Sequence, residues 1–186
     1  MPPYTKEEYH QAQIFPDASA GYIILRDQYD DLLRKLDYPN DDQIVVPASP
    51  RHLGSPIRRI KYGSVTFMLN KGLYIFQIAV SKGYSGKTEE GIGLGTTLDE
   101  VKSIWGAGEL KVNESLATLW TPARYPWTSL WIGKGSDQVQ RVSAVIITDL
   151  AKNNFEFEDH YPRGILEKKK RMIIKHPVEK PLEDDT

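Results

Sequence analysis

The sequence predicts an α+β fold made of two related units, each with short helices packed on one face of an antiparallel β-sheet. Three observations lead to this prediction. A helical pattern that follows Tyr22 occurs again after Gly91, and a pair of strand patterns follows each copy. The chain has 186 residues, which is enough for one domain or for two small ones.

Apolar residues recur at i, i+3 and i+7 in both copies of the helical pattern. This spacing places all three on one face of a short helix. Each copy therefore predicts a helix that packs one face against the core. The residues are Tyr29, Leu32 and Leu36 in the first copy, and Leu98, Val101 and Trp105 in the second.

The second helix also has signals at both ends. Thr97 and Glu100 have the spacing of a capping box, in which each side chain accepts a hydrogen bond from the other residue's backbone amide. Gly106 is placed to end the helix in the left-handed conformation. We expect this helix to lie between these two signals.

Two strand patterns follow each helix. They are expected at 65–69 and 73–80 in the first copy, and at 129–132 and 139–148 in the second. The apolar positions of the two copies align, and the offset between them grows slightly within the hairpin turn, where an insertion is tolerated. The aligned positions are Phe67 and Leu69 with Leu130 and Ile132 before the turn, and Phe76, Ile78 and Val80 with Val142, Ala144 and Ile146 after it.

These patterns divide the chain into four parts. They are an N-terminal segment at 1–18, a first α/β repeat unit at 19–85, a second unit at 86–150, and a C-terminal extension with a disordered tail at 151–186. Within the first part, the stretch to Phe15 is expected to form a helix with Tyr9 and Ala12 on its inner face. The two units bury little core alone, so we expect them to pack together or to continue one sheet.

Composition excludes several classes of function. Lys and Arg number 24 against 25 Asp and Glu, so the basic excess of a general nucleic-acid binder is missing. No apolar run approaches the length of roughly 18 residues that a membrane-spanning helix needs, and we expect no membrane span. The sequence contains no cysteine, which excludes disulfides, thiol catalysis and Cys-ligated metals.

The first residues have no signal-peptide pattern, so the expected location is cytoplasmic as written, or periplasmic if a signal peptide was removed.

The segment Gly91–Val101, together with Trp105 and Gly106, resembles the opening of the BamE/SmpA-like and β-lactamase-inhibitory-protein-like repeats. The resemblance covers about residues 20–148 and implies tandem helix-and-sheet repeats that bind other proteins. The chain departs from both families. Inhibitory-protein repeats each carry a disulfide and BamE-like proteins are anchored through an N-terminal cysteine, whereas this sequence has no cysteine.

Two glycine-containing segments invite a phosphate-loop interpretation. Gly91, Gly93 and Gly95 precede a helix, whose N-terminal amides attract anions. Their spacing fits neither the dinucleotide fingerprint nor the P-loop, so we favour a structural role. Strand patterns flank the segment 133–136 on both sides, which favours a hairpin turn.

No catalytic or metal-binding residue is expected. The four histidines do not occur at metal-ligand spacing. Glu156, Glu158, Asp159 and His160 could hold a hard cation or belong to an unrecognised enzyme site. Their alternation with phenylalanines also fits a half-buried edge strand, which we favour. No cofactor is predicted.

The predicted partner-binding residues are mostly aromatic or arginine. If Leu130 and the residues aligned with it face the helix, alternation turns Trp127, Trp131 and Arg141 to the opposite face. Two tryptophans and an arginine on an outward face are typical of a binding hot spot. Packing of this face against the other unit or the C-terminal segment is the alternative. The complete predicted set is Trp127, Trp131, Arg141, Tyr125, and, from a Pro-rich loop and its flank, Arg51 and Arg58.

The sequence thus predicts a non-catalytic protein-binding module, monomeric or homodimeric. In its sharper form it is an inhibitor or immunity-type protein that neutralises a partner such as a toxin or hydrolase. Two alternatives stay open: an envelope assembly factor of the BamE-like type, and an enzyme with an unrecognised site. No nucleic-acid partner is expected.

Overall fold

In the part of the chain that the structure describes, the fold is built around an antiparallel sheet of eight strands. The computed structural model describes residues 5–36, 41–45, 57–70, 72–112 and 118–149. The helices are α1 (Lys6–Tyr9), α2 (Tyr29–Lys35) and α3 (Leu98–Trp105). The strands are β1 (Ile14–Phe15), β2 (Ser19–Ala20), β3 (Ile23–Ile24), β4 (Asp41–Val45), β5 (Ile57–Tyr62), β6 (Val65–Leu69), β7 (Ile75–Val80), β8 (Gly108–Val112), β9 (Thr118–Pro122), β10 (Thr128–Lys134) and β11 (Gln140–Thr148). The predicted α+β class is confirmed, with far more sheet than helix.

The strand order of the large sheet is β4-β5-β6-β7-β11-β10-β9-β8. Each of α2 and α3 is followed by four strands that pair with their sequence neighbours. The two runs of four strands meet at β7 and β11, where Val80 lies opposite Val145 and Ile78 opposite Ile147. These two halves of the sheet are therefore continuous with each other.

The hydrophobic core lies between this sheet and the helices. On the helix side, α3 buries Leu98, Val101 and Trp105. On the sheet side, the core includes Phe67 and Leu130 from matching strands of the two halves. The burial of apolar surface between these layers is the main term that stabilises the fold.

The two longer helices begin differently. Thr97 accepts a hydrogen bond from the amide of Glu100, whose carboxylate accepts one from the Thr97 amide, so the predicted capping box is confirmed. Gly106 ends α3 as expected, but its φ of 78° and ψ of −140° lie outside the left-handed αL conformation that its position predicts. At the start of α2, the side chain of Gln28 makes no capping hydrogen bond.

The N-terminal segment does not form the helix that was expected up to Phe15. The helix α1 is one turn long and ends at Tyr9, and the chain then enters a small sheet of order β1-β2-β3. Tyr9 and Ala12 are buried as expected. The Tyr9 hydroxyl donates a 2.7 Å hydrogen bond to the Ala20 carbonyl, which ties the turn to the small sheet.

The strand β7 contains a bulge. Met68 lies opposite Gln77, and the next residue, Leu69, lies opposite Ile75. Phe76 is therefore the extra residue, and Ile75 takes the core-facing position that alternation assigned to Phe76.

A second bulge occurs in β11. Trp131 lies opposite Ala144, and the next residue, Ile132, lies opposite Val142. Ser143 is the extra residue on this strand.

The bulge at Ser143 corrects one of the predicted faces. Ala144 and Ile146 were expected to face the helices together with Val142. The extra residue inverts the alternation, so Val145 and Ile147 continue the core face and Ala144 and Ile146 lie on the opposite face.

In the described part of the chain, no helix combines the length and the apolar character that crossing a bilayer requires.

Candidate protein-binding face

One face of the large sheet points away from the helices, and we call it the outer face. It is defined by the strand positions that alternate with the core-facing ones. The residues at its centre are Thr66, Met68, Gln77, Ala79, Leu119, Ser129, Trp131, Ala144 and Ile146.

Trp131 is the largest exposed side chain on this face, with 39% of its surface accessible. Leu119 lies opposite it on β9, and Ala144 lies opposite it on β11. Ile146 pairs with Ala79 across the junction of the two halves. These positions give the outer face an apolar centre around the indole ring.

The second sequence-predicted residue on the outer face is Arg141, which lies opposite Gly133. Its guanidinium bonds both carboxylate oxygens of Asp137, at 2.9 Å and 2.8 Å. The hydrogen bond and the charge of Asp137 raise the pKa of Arg141, and Glu100 on α3 adds a weaker attraction. Arg141 is therefore held at the hairpin end of the sheet.

Tyr125 lies on the helix side of the sheet. Its ring packs edge-on against Trp105 of α3, with a centroid distance of 5.1 Å. Its hydroxyl donates a 3.1 Å hydrogen bond to Glu90. The guanidinium carbon of Arg124 lies over the ring, 4.8 Å from the ring centroid. Partial burial, followed by the charge of Glu90, raises the pKa of Tyr125.

Trp127 does not take the outward position that alternation predicts. It precedes β10, in a turn where the Thr128 amide donates to the Tyr125 carbonyl, and its side chain packs against the core. Its backbone amide donates to Asp17, which also bonds the hydroxyl of Thr128. Because Trp127 lies outside the strand, the two-residue alternation does not determine the side of the sheet on which its side chain lies.

Arg58 lies near the opposite end of the sheet. It donates hydrogen bonds of 2.7 Å and 2.9 Å to Asp42, and its guanidinium lies 4.0 Å from the ring centroid of Tyr29 on α2. The predicted contact residue Arg51 lies outside the described residues. The structure therefore brings Trp131 and Arg141 to one face and places Tyr125, Trp127 and Arg58 elsewhere.

Three apolar residues of the outer face, Leu119, Ile146 and Met68, were missed by the sequence analysis. Leu119 precedes a buried tryptophan in a strand that was not predicted. Ile146 was assigned to the core because the bulge was not foreseen. Met68 alternates with the core-facing Phe67 and Leu69 but is not among the predicted site residues.

The glycine segment before α3 fits the structural role that the sequence favours. A shallow groove of about 460 Å³ lies beside it. The amide of Gly95 donates to the Val142 carbonyl, and the amide of Gly93 donates to the Thr96 hydroxyl. These amides therefore serve the fold, since each already has an acceptor within the chain.

Within the described ranges, His, Asp and Glu side chains form no group of three that could hold a metal ion. The acidic cluster from Glu156 to His160 lies outside these ranges.

The fold is similar to that of the uncharacterized protein YfeY from Escherichia coli, known from its crystal structure. The TM-score is 0.50 at 13% sequence identity, and the match covers 78% of this chain and 99% of the YfeY chain. At this level of identity the likeness is one of fold alone. No protein-family model matches the sequence, and no curated protein matches it.

Proposed function

We propose that this protein is a non-catalytic binding module that captures another protein on the outer face of its sheet. The observation that carries the proposal is the exposure of Trp131 on the face that no described helix covers. Exposed tryptophan is rare on monomer surfaces and is enriched among the residues that dominate binding energy.

The surroundings of Trp131 support this role. Leu119, Ile146 and Met68 provide apolar positions at the centre of the face, and Ser129 and Gln77 provide polar groups between them. Protein interfaces combine apolar residues with polar groups, so this composition fits the proposed role.

Rigidity is a second supporting feature. Trp131 lies in an interior strand that pairs with a neighbour on each side. A side chain on such a strand loses little backbone entropy when it binds, which favours affinity.

We infer that the sheet consists of two related units. Both comprise a helix followed by four strands, and in both the bulge lies in the last of these strands, at Phe76 and at Ser143. The residue before each helix also forms an isolated bridge to the final part of its unit: Gln28 bridges to Tyr74 and Thr97 to Arg141. Two helices and two bulges at matching positions favour duplication over coincidence.

In its sharper form, the proposal is that the protein is an inhibitor or immunity-type protein. The bound partner is then a toxin or hydrolase whose active site the outer face covers. The support for this form is the resemblance of the Gly91–Gly106 segment to inhibitory-protein repeats, combined with the matching units described above.

The proposal can be tested by affinity capture from a lysate of the source organism. The immobilised baits are the wild-type protein, Trp131→Ala and Ile104→Ala, and captured proteins are identified by mass spectrometry. Ile104 is a matched control because it is 42% exposed but lies on α3, on the other side of the sheet. The proposal predicts a protein that the wild type and Ile104→Ala retain and Trp131→Ala loses. Equal retention by all three baits would contradict it.

A further inference from the structure

Among the described residues, the strand β8 is the last strand at one end of the sheet, and it is exposed along its whole length. Leu110 is 53% exposed and Val112 is 64% exposed. An open edge strand with apolar side chains is a template for pairing with another strand.

The backbone geometry shows which groups point outward from this edge. The amide of Ala123 donates to the carbonyl of Ala107 at 2.9 Å, so these two residues form a hydrogen-bonded pair. Such pairs alternate along an antiparallel ladder, and the N–H and C=O groups of Gly108, Leu110 and Val112 therefore point away from β9.

These outward groups match those of a second copy of the strand. If two β8 strands pair antiparallel about an axis at Leu110, each Leu110 lies opposite the other, and Gly108 lies opposite Val112 of the second copy. The three outward residues of each strand then exchange about six backbone hydrogen bonds.

The same register also pairs opposite charges. Glu109 and Lys111 lie on the same face of β8, between the outward-bonding residues, and they form an exposed ion pair within the chain. In the paired arrangement, Glu109 lies opposite Lys111 of the second copy, and the reverse contact occurs on the other side of the axis. Directly opposed unlike charges stabilise a strand pair, and like charges destabilise it.

The other edge of the sheet lacks this match. The edge strand β4 contains Asp41 and Asp42 and no basic residue, so its pairing with a second copy gains no charge complementarity. Asp42 is also engaged by Arg58 within the chain.

We propose that the protein forms a two-fold homodimer by antiparallel pairing of β8 with β8 of a second copy, which joins two eight-stranded sheets into one. The proposal does not depend on the proposed partner-binding function, because β8 lies at the edge and Trp131 lies on an interior strand. The interface is small, so we expect weak, concentration-dependent association.

Sedimentation velocity of the full chain tests the proposal, at concentrations from about 1 µM to about 1 mM to span the range of weak association. Glu109→Lys and Lys111→Glu each place like charges opposite one another twice in the dimer. We expect each variant to weaken dimerisation at least about tenfold. The double variant Glu109→Lys with Lys111→Glu restores opposite charges and should dimerise like the wild type.

A mixture of the two single variants provides a further arm. In a mixed pair, lysines at 109 and 111 of one chain meet glutamates at 111 and 109 of the other, so the mixture should dimerise more strongly than either variant alone. Ile44→Glu on β4 is the control, since Ile44 is 75% exposed on the opposite edge. A wild-type protein that is monomeric throughout the range would overturn the proposal, and so would loss of association in Ile44→Glu. Failure of both the double variant and the mixture to associate would overturn the register.

Discussion

The hydroxyl of Ser143 donates a 3.1 Å hydrogen bond to the carbonyl oxygen of Trp131. Ser143 is the extra residue of the β11 bulge, so this bond joins the irregular point of one strand to the exposed aromatic residue of its neighbour. The bulge determines which side chains share a face with Trp131, because it moves Ala144 and Ile146 to the outer face. The composition of the proposed binding face therefore depends on one inserted residue.

Trp131 on β10 and Trp120 on the neighbouring strand β9 should respond differently to truncation. Trp131→Ala should lower the free energy of unfolding by about 1 kcal/mol or less, because the side chain lies on the surface. Trp120→Ala should cost about 3–5 kcal/mol, because Trp120 is only 1% exposed and its removal leaves a cavity. Urea denaturation of both variants measures the difference. Similar large losses would mean that the outer face is core and does not bind a partner.

A buried ion pair links the segment before α2 to the residue after β11. Arg26 donates a 2.7 Å hydrogen bond to Asp149, and both side chains are almost fully buried. Asp149→Ala leaves the guanidinium buried without this partner and should cost about 3–5 kcal/mol. Chemical denaturation at neutral pH provides the measurement.

The control for this pair is Arg34→Gln, which breaks an exposed ion pair with Asp31 one turn away on α2. Exposed pairs of this kind contribute about 0.5 kcal/mol. Equal effects of the two substitutions would show that burial does not govern the energy of these pairs.

Alanine substitutions at two glycines distinguish the steric cost of an added Cβ from the cost of an unfavourable backbone conformation. A Cβ at Gly86 would overlap the carbonyl oxygen of Ala12, which is backbone and cannot rotate away. A Cβ at Gly106 meets nothing within 4 Å, but the residue has a φ of 78°. Gly106→Ala should therefore cost about 1–3 kcal/mol from the backbone conformation alone, because a φ of 78° with a ψ of −140° is unfavourable for residues with a Cβ, and Gly86→Ala should cost clearly more. Thermal unfolding of the two variants gives the order, and the reverse order would contradict the geometry.

The carboxylate of Asp42 should make stability depend on pH. The hydrogen bonds from Arg58, and to a lesser extent from the Tyr29 hydroxyl, lower the pKa of Asp42 despite opposing desolvation. A lowered pKa means that the folded state favours the ionised form. The stability that the ionised Asp42 contributes is fully present when the pH is above the unfolded pKa of about 3.9. It is lost as the pH falls through the lower pKa of the folded state.

We therefore expect Asp42→Asn to destabilise the protein by about 1 kcal/mol at pH 7 and by less at pH 3. The measurement is the difference in unfolding free energy between the variant and the wild type at each pH. A difference that is larger at pH 3 would contradict the assigned direction of the shift.

Local signals in the sequence predicted local structure well. Thr97 and Glu100 identified the start of α3 and Gly106 identified its end, because helix capping and termination depend on residues within one turn. The hairpin strands β6 and β10 were found at nearly their observed bounds by alternation of apolar residues.

Other features depend on contacts that no short segment encodes. The bulge at Ser143 interrupts an alternation that reads as regular in the sequence, so Ile146 was assigned to the core. The strands β5 and β8 were missed, because consecutive arginines at 58 and 59 and an exposed edge position weaken the apolar pattern. The packing of Trp127 against the core depends on a turn held by Asp17, which is far away along the chain.

The most direct test of the proposed function is a titration of the captured partner by isothermal calorimetry against wild type, Trp131→Ala and Ile104→Ala. Circular dichroism of each variant shows first that its fold is intact. The proposal predicts that Trp131→Ala weakens binding by about 30-fold or more, which corresponds to about 2 kcal/mol, and that Ile104→Ala stays within about threefold of wild type. A folded Trp131→Ala variant that binds the partner with wild-type affinity would contradict it.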